Sequence, residues 1–296
     1  MDHRPEPILL SPYCKIPSSE PVKAYVGYPL FDLTNPQTTL VLSSRRDLPI
    51  QLISALTGQI GASYPLVNPM TEAYICPNSL EFTLDGNRFI AGSESMISTF
   101  DLSRSGQEPI SATPTGPHRR NDTTHNPATN MKGIVSALSI DDTSKILAAG
   151  TYSRSVGLYE SMGDGECVGV FSVKGTSADM EIGGSGITQV SWSPCGRYLY
   201  IAERKSDGLL LYDIRKTGQL LAWLTGRDAF TNQRLSFDII PSFGADGHEI
   251  WAGGLDGKVR TWQNPHQSQG SIDPTFGFQS HTGKYICSIL PFGRAF

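Results

Sequence analysis

The chain has 296 residues, 39% hydrophobic and 18% charged, which is enough apolar material for a large core and makes disorder a poor reading of the chain as a whole. Its 30 glycines and 20 prolines interrupt the chain too often for long helices. A net charge of −4 and a pI near 5.9 exclude a molecule that is basic throughout, so any hold on nucleic acid must come from a local patch.

Residues 7–14 form a short apolar run that fits the outer strand of a sheet whose inner strands are absent. A repeat begins after it. Each copy has an apolar strand, a polar turn, a second strand ending in small residues, a short turn, and a third strand ending in an aromatic plus an acid or amide. Residues 24–58 carry a weak copy, with 39–44 (TLVLSS) as the small-ended strand. Residues 80–102 (LEFTLDGNRFIAGSESMISTFDL) are a clear one. Residues 103–132 follow as a long polar inter-blade loop containing Pro114, Arg119, Arg120 and Lys132. Residues 135–160, 187–213 and 235–263 are three more clear copies, and a fragment over 284–290 opens another.

Each part of the repeat has a mechanical reason. Ala91-Gly92, Ala149-Gly150 and Ala252-Gly253 put small side chains where strands converge on a central channel. Asp85-Gly86 and Asp256-Gly257 supply hairpin turns, and Asp207 and Asp256 read as turn-fixing residues. Phe100-Asp101, Tyr159-Glu160, Tyr212-Asp213 and Trp262-Gln263 stand where WD-repeat proteins carry their Trp-Asp pair, with the aromatic between blades. The expected fold is therefore all-β: a WD-repeat β-propeller of about five recognisable blades plus partial terminal blades, one domain over 1–296. Two arrangements fit, an incomplete seven-blade ring and a ring closed with unusual edges.

Catalytic and metal signatures are poor. The six histidines are scattered, and no H-E-x-x-H, G-x-S-x-G or phosphate-loop pattern occurs, so no enzyme, metal or cofactor is expected. Cys14, Cys76, Cys167, Cys195 and Cys287 form no C-x-x-C pair and are expected as reduced core thiols. No stretch approaches the ~20 apolar residues of a membrane helix, and residues 1–20 do not read as a secretion signal.

More specific matches are Gly133-Ile-Val-Ser-Ala137 and the run from Gly150 to Tyr159 (GTYSRSVGLY), then Asp213-Ile-Arg215 with residues 231–238 (TNQRLSFD). Residues 43–50 (SSRRDLPI) and 56–59 (LTGQ) add a third. In these the chain resembles the telomerase Cajal body protein family of WD-repeat proteins, over most of its length. The resemblance implies a nuclear scaffold for small nuclear RNPs that binds small nuclear or Cajal-body-type RNA (telomerase RNA in animals) and RNP proteins. For fungal-type relatives it implies a link to pre-mRNA splicing.

In such propellers one face is built from the loops between second and third strands and between blades. Arg45, Arg46, Arg154, Arg204, Lys205, Arg227 and Arg234 fall in those loops, with Asn232 beside them and Tyr152 and Phe230 as stacking candidates. Together they are the expected RNA-binding residues. Asp101, Asp207, Asp213, Asp256 and Trp262 are the expected structural repeat residues. Against the RNA reading stands a solvated rim in which each cation pairs with a neighbouring acid such as Asp47, Asp207 or Asp228. The competing function is a protein-only adaptor in a ubiquitin ligase or signalling complex.

Overall fold

Short β-forming runs bounded by turns fold as 21 strands among the residues described by the computed structural model, which are 12, 14–116, 130–216, 218–242 and 246–280. The first sheet holds β1 (Val22–Gly27), β2 (Leu40–Arg45), β3 (Ile50–Ser54) and β4 (Ile60–Tyr64). The second holds β5 (Ser79–Phe82), β6 (Arg88–Ser93), β7 (Met96–Asp101) and β8 (Ser111–Pro114). The third holds β9 (Val135–Ile140), β10 (Leu147–Thr151), β11 (Ser155–Tyr159) and β12 (Cys167–Ser172). The fourth holds β13 (Ile187–Trp192), β14 (Tyr198–Glu203), β15 (Leu209–Asp213) and β16 (Leu220–Leu224). The fifth opens with β17 (Phe237–Pro241), β18 (His248–Gly253) and β19 (Lys258–Gln263). The chain then crosses back, so that β20 (Gly270–Ile272) pairs in parallel with β16, and returns as β21 (Phe276–Gln279), which closes the fifth sheet beside β19. These are the five blades of the repeat, each built on a four-stranded antiparallel meander, with β20 as an added parallel strand on the fourth.

Burial follows position in the blade. Strands β9, β10 and β14 are buried along their whole length, because they are covered on both faces, while β21 is exposed throughout. Four hydrophobic clusters join the first blade to the second, the second to the third, the third to the fourth and the fourth to the fifth. The repeat aromatics sit at these joints. Phe100, Tyr159, Tyr212 and Trp262 end the third strand of successive blades and are each at most 1% exposed.

The small residues have a measurable cause. A Cβ on Gly92 would lie 2.6 Å from Val135, and one on Gly150 would lie 2.6 Å from Ile187. In both places the first strand of the next blade crosses too closely for a side chain. The same seam carries a recurring hydrogen bond. Ser44 Oγ donates to the Pro77 carbonyl, Ser79 Oγ to Val135 and Ser136 Oγ to Ile187, at 2.9, 2.9 and 2.6 Å. In the fourth blade Gln189 takes over, donating to the Phe237 carbonyl and accepting from the Phe237 N–H.

Among the described residues no hydrophobic cluster joins the fifth blade to the first. Both blades carry exposed apolar side chains, Tyr25 and Ile60 on the first and Phe276 and Phe278 on the fifth.

Two expectations change, and others fall outside the described residues. The polar stretch 103–132 is not loop throughout, since it supplies β8; an outer strand needs little apolar character, so Ser-Ala-Thr-Pro gave no strand signal. Its residues 117–129, with Arg119 and Arg120, lie outside the described residues, as do 284–290 and all of 7–14 except Pro12 and Cys14. The four described cysteines are free and half-buried, not fully buried; Cys167 and Cys195 pack against the margins of two core clusters.

Candidate nucleic-acid interface

The hairpins β2–β3, β10–β11, β14–β15 and β18–β19 and the connections between blades emerge on one face. Their residues do not share one fate, and the division follows from local backbone geometry and burial.

Arg154 turns inward. It occupies the β10–β11 hairpin in the left-handed region, at φ 67°, which points its side chain across to the fourth blade. There its guanidinium forks onto Glu203, with Nε at 2.6 Å from Oε1 and Nη2 at 2.7 Å from Oε2. Nη2 also lies 2.5 Å from Asp179 Oδ1. The arginine side chain is 11% exposed and that of Glu203 only 1%. Burial pushes the Glu203 carboxyl up from its ordinary range, against the pull of Arg154. Arg154 is thus a two-acid clamp between blades, paired with acids that are not the sequence neighbours expected of a rim. The signal for it is Glu203 itself, an acid closing an otherwise apolar strand.

Arg227 also turns inward and is 1% exposed. It donates to the backbone carbonyls of Gly253, Leu235 and Ser236 at 3.3, 2.8 and 2.9 Å, fastening the entry to the fifth blade. Complete burial pulls its pKa down to about 10, with Asp207 opposing. As an RNA-binding candidate it is withdrawn, because a guanidinium enclosed by carbonyls cannot reach a phosphate. Among the turn residues, Asp256 holds Arg260 at 3.0 and 2.8 Å and accepts the Lys258 N–H, and Asp207 accepts the Asp228 N–H. Asp101 caps Ser103, and Asp213 pairs with Arg215.

A second group comes together in the open. Arg204 sits over Tyr152, with Cζ 4.1 Å from the ring centroid. Arg234 approaches the same ring to 5.7 Å and donates through Nη2 to the Tyr152 hydroxyl at 2.6 Å and the Asn78 carbonyl at 2.9 Å. Arg204 Nε is buried without a hydrogen-bond partner among the described residues. Neither arginine forms an ion pair among those residues. The Lys205 N–H donates to the Thr231 carbonyl at 2.8 Å, which draws the loop carrying Phe230, Asn232 and Arg234 to the β14–β15 hairpin. Lys205 and Asn232 are exposed, and Phe230 is 68% exposed.

Arg45 and Arg46 part company. Arg46 is exposed at the β2–β3 turn. Arg45 is 8% exposed, donates to the Gln51 side chain, and lines a central cavity of about 590 Å³ together with Arg234 and Lys23. Lys23 was not legible as a candidate, since β1 copies the repeat only weakly.

Among the described residues no group of three His, Cys, Asp or Glu side chains is placed to hold a metal ion, and no helix is long and apolar enough to cross a membrane.

No protein-family model matches the chain. Among curated proteins it is 35% identical over 251 residues to Guanine nucleotide-binding protein negative regulator 1 of Schizosaccharomyces pombe. That alignment covers 84% of this chain and 58% of the relative. It is 30% identical over 253 residues to Telomerase Cajal body protein 1 of Rattus norvegicus, covering 85% of this chain and 42% of the relative. To Telomerase Cajal body protein 1 of Homo sapiens it is 28% identical, covering 90% and 44%. The resemblance drawn from the sequence therefore holds: the chain is a homologue of these proteins and spans about half their length. Two solved structures share the fold, the structure of U3-55K (TM-score 0.56, 13% identity) and the crystal structure of RRP9 WD40 repeats (TM-score 0.58, 12% identity). Each match covers 87% of this chain and 64% or 63% of the other.

Proposed function

We propose that this chain, a WD-repeat propeller scaffold related to Telomerase Cajal body protein 1, works in the nucleus without catalysis and binds small nuclear or Cajal-body-type RNA. Telomerase RNA is among the candidates. On this reading it assists RNP localisation or pre-mRNA splicing, with RNP proteins as its other partners. The observation that carries the reading is the pair Arg204 and Arg234 around Tyr152, two like charges with no ion pair among the described residues. A phosphate is the ligand that relieves such a pair, because each guanidinium offers it a planar fork. Tyr152 and Phe230 add ring faces for unpaired bases, and Lys205 and Asn232 complete a polar, cationic border. With Arg154 and Arg227 engaged internally, the proposed interface narrows to Arg204, Lys205, Asn232 and Arg234, with Arg46 at its edge.

The test is crosslinking of the protein to RNA in its own nuclei, followed by salt titration of binding to the recovered RNA. Enrichment of small nuclear or Cajal-body RNAs is expected. Arg204→Met or Arg234→Met should weaken binding and lower the salt slope by roughly one each. Background RNA alone would refute the reading.

A second reading is favoured by the name of the Schizosaccharomyces pombe relative, a negative regulator of a guanine nucleotide-binding protein. On it, the chain is a protein-only adaptor in a signalling complex. Partners retained after ribonuclease treatment, with no enriched RNA, would establish that alternative.

A further inference from the structure

The central cavity has a composition that the proposed RNA face does not explain. It lies where β1, β5, β9 and β13 converge. Its charged lining residues are Lys23, Arg45 and Arg234, with no aspartate or glutamate among the described lining. The walls below them are largely apolar, built from Val41, Leu80, Leu138 and Val190. The wall hydroxyls of Ser79, Ser136 and Thr188 already donate to the Val135, Ile187 and Ala202 carbonyls. A chamber with cations and an apolar interior fits a ligand with an anionic end and a flat, weakly polar body.

We infer that the channel takes one unstacked nucleotide, its phosphate held by Lys23, Arg45 and Arg234 and its base against the apolar wall. The inference rests on the RNA reading above for the source of that nucleotide. Size agrees, since a volume of about 590 Å³ falls within the roughly 300–1,000 Å³ of small-ligand pockets. Continuity agrees too. Arg234 lines the channel and also touches Tyr152, so a strand lying over Tyr152 and Arg204 would bring its next nucleotide to the channel mouth. Because the wall is largely apolar and its Ser79, Ser136 and Thr188 hydroxyls are engaged, the channel should accept different bases with similar affinity.

The test uses the full chain and three probes: uridine 5′-monophosphate, inorganic phosphate and the crosslinked RNA. The mononucleotide is expected to bind and to be displaced by phosphate only at much higher concentration, since phosphate lacks the base. Arg45→Met and Lys23→Met should each weaken mononucleotide binding roughly fivefold to tenfold. Lys23 is exposed, so that variant keeps the test valid if the Arg45 change disturbs folding. Arg204→Met, which alters the face and not the channel, should weaken RNA binding and leave the mononucleotide unaffected. RNA binding without mononucleotide binding, or phosphate competing equally, would overturn the channel site and leave the face intact. Binding of an acidic peptide in place of the mononucleotide would overturn it as well. Mononucleotide binding without RNA binding would refute the RNA reading and support the channel site.

Discussion

Arg154→Met separates a structural arginine from an RNA-binding one. The substitution keeps most of the stem and removes the fork that holds Glu203 and Asp179. Glu203 is then left with its side chain 1% exposed and no cation, while Asp179, at 24%, can still reach water. Breaking a buried pair from one side costs about 3–5 kcal/mol. Protonation of Glu203, already favoured by burial, should hold the loss near the lower end. At roughly 2–4 °C per kcal/mol for a domain of this size, the melting temperature should fall by about 6–12 °C. Thermal unfolding followed by circular dichroism measures it. Arg154→Met with Glu203→Gln should recover much of the loss, because a neutral amide no longer needs the cation. RNA affinity, measured well below the melting temperature, should stay within about twofold of the original. A melting temperature within about 2 °C of the parent, together with lost RNA binding, would refute the clamp and return Arg154 to the interface.

Other expectations follow from the same geometry. Arg227→Met removes the donor shared by the Gly253, Leu235 and Ser236 carbonyls and should cost about 2–4 kcal/mol, read from denaturant unfolding, with RNA affinity unchanged. Trp262→Ala removes a fully buried ring between the fourth and fifth blades and should cost about 3–5 kcal/mol. His248 is buried; Nδ1 meets the Asp246 carbonyl, which can only accept, so Nδ1 donates and Nε2 accepts from the Tyr200 hydroxyl at 2.7 Å. Burial, with stacked His266 adding to it, holds its pKa below the ordinary 6.5, while Asp246 opposes. The unfolded chain therefore takes the proton first, and stability is full above about pH 6.5 and lost as the pH falls below it. His248→Phe should flatten that part of a pH series of melting temperatures; an unchanged slope would assign the acid sensitivity elsewhere.

The blades were legible because their determinants are local. An apolar run with turns at both ends writes a strand, a glycine marks where the next blade crosses, and an aromatic before an acid marks the end of the third strand. Phe100, Tyr159, Tyr212 and Trp262 all fell at blade joints for that reason. Outer strands such as β8 were hidden, because one exposed face and four polar or small residues carry no period.

The arginines could not be sorted along the chain. Arg154, Arg204, Arg227 and Arg234 are all hairpin or connecting-loop cations in the sequence, yet two are clamps and two are open. What decides is how completely the neighbouring chain encloses each guanidinium: Arg154 and Arg227 are enclosed by acceptors 8 to 49 positions away, whereas Arg234 meets a single carbonyl, that of Asn78, and stays exposed. Composition and local pattern determined the fold and bounded the charge. The site was decided by packing, because a guanidinium is available to a ligand only if the tertiary structure has not already surrounded it with acceptors.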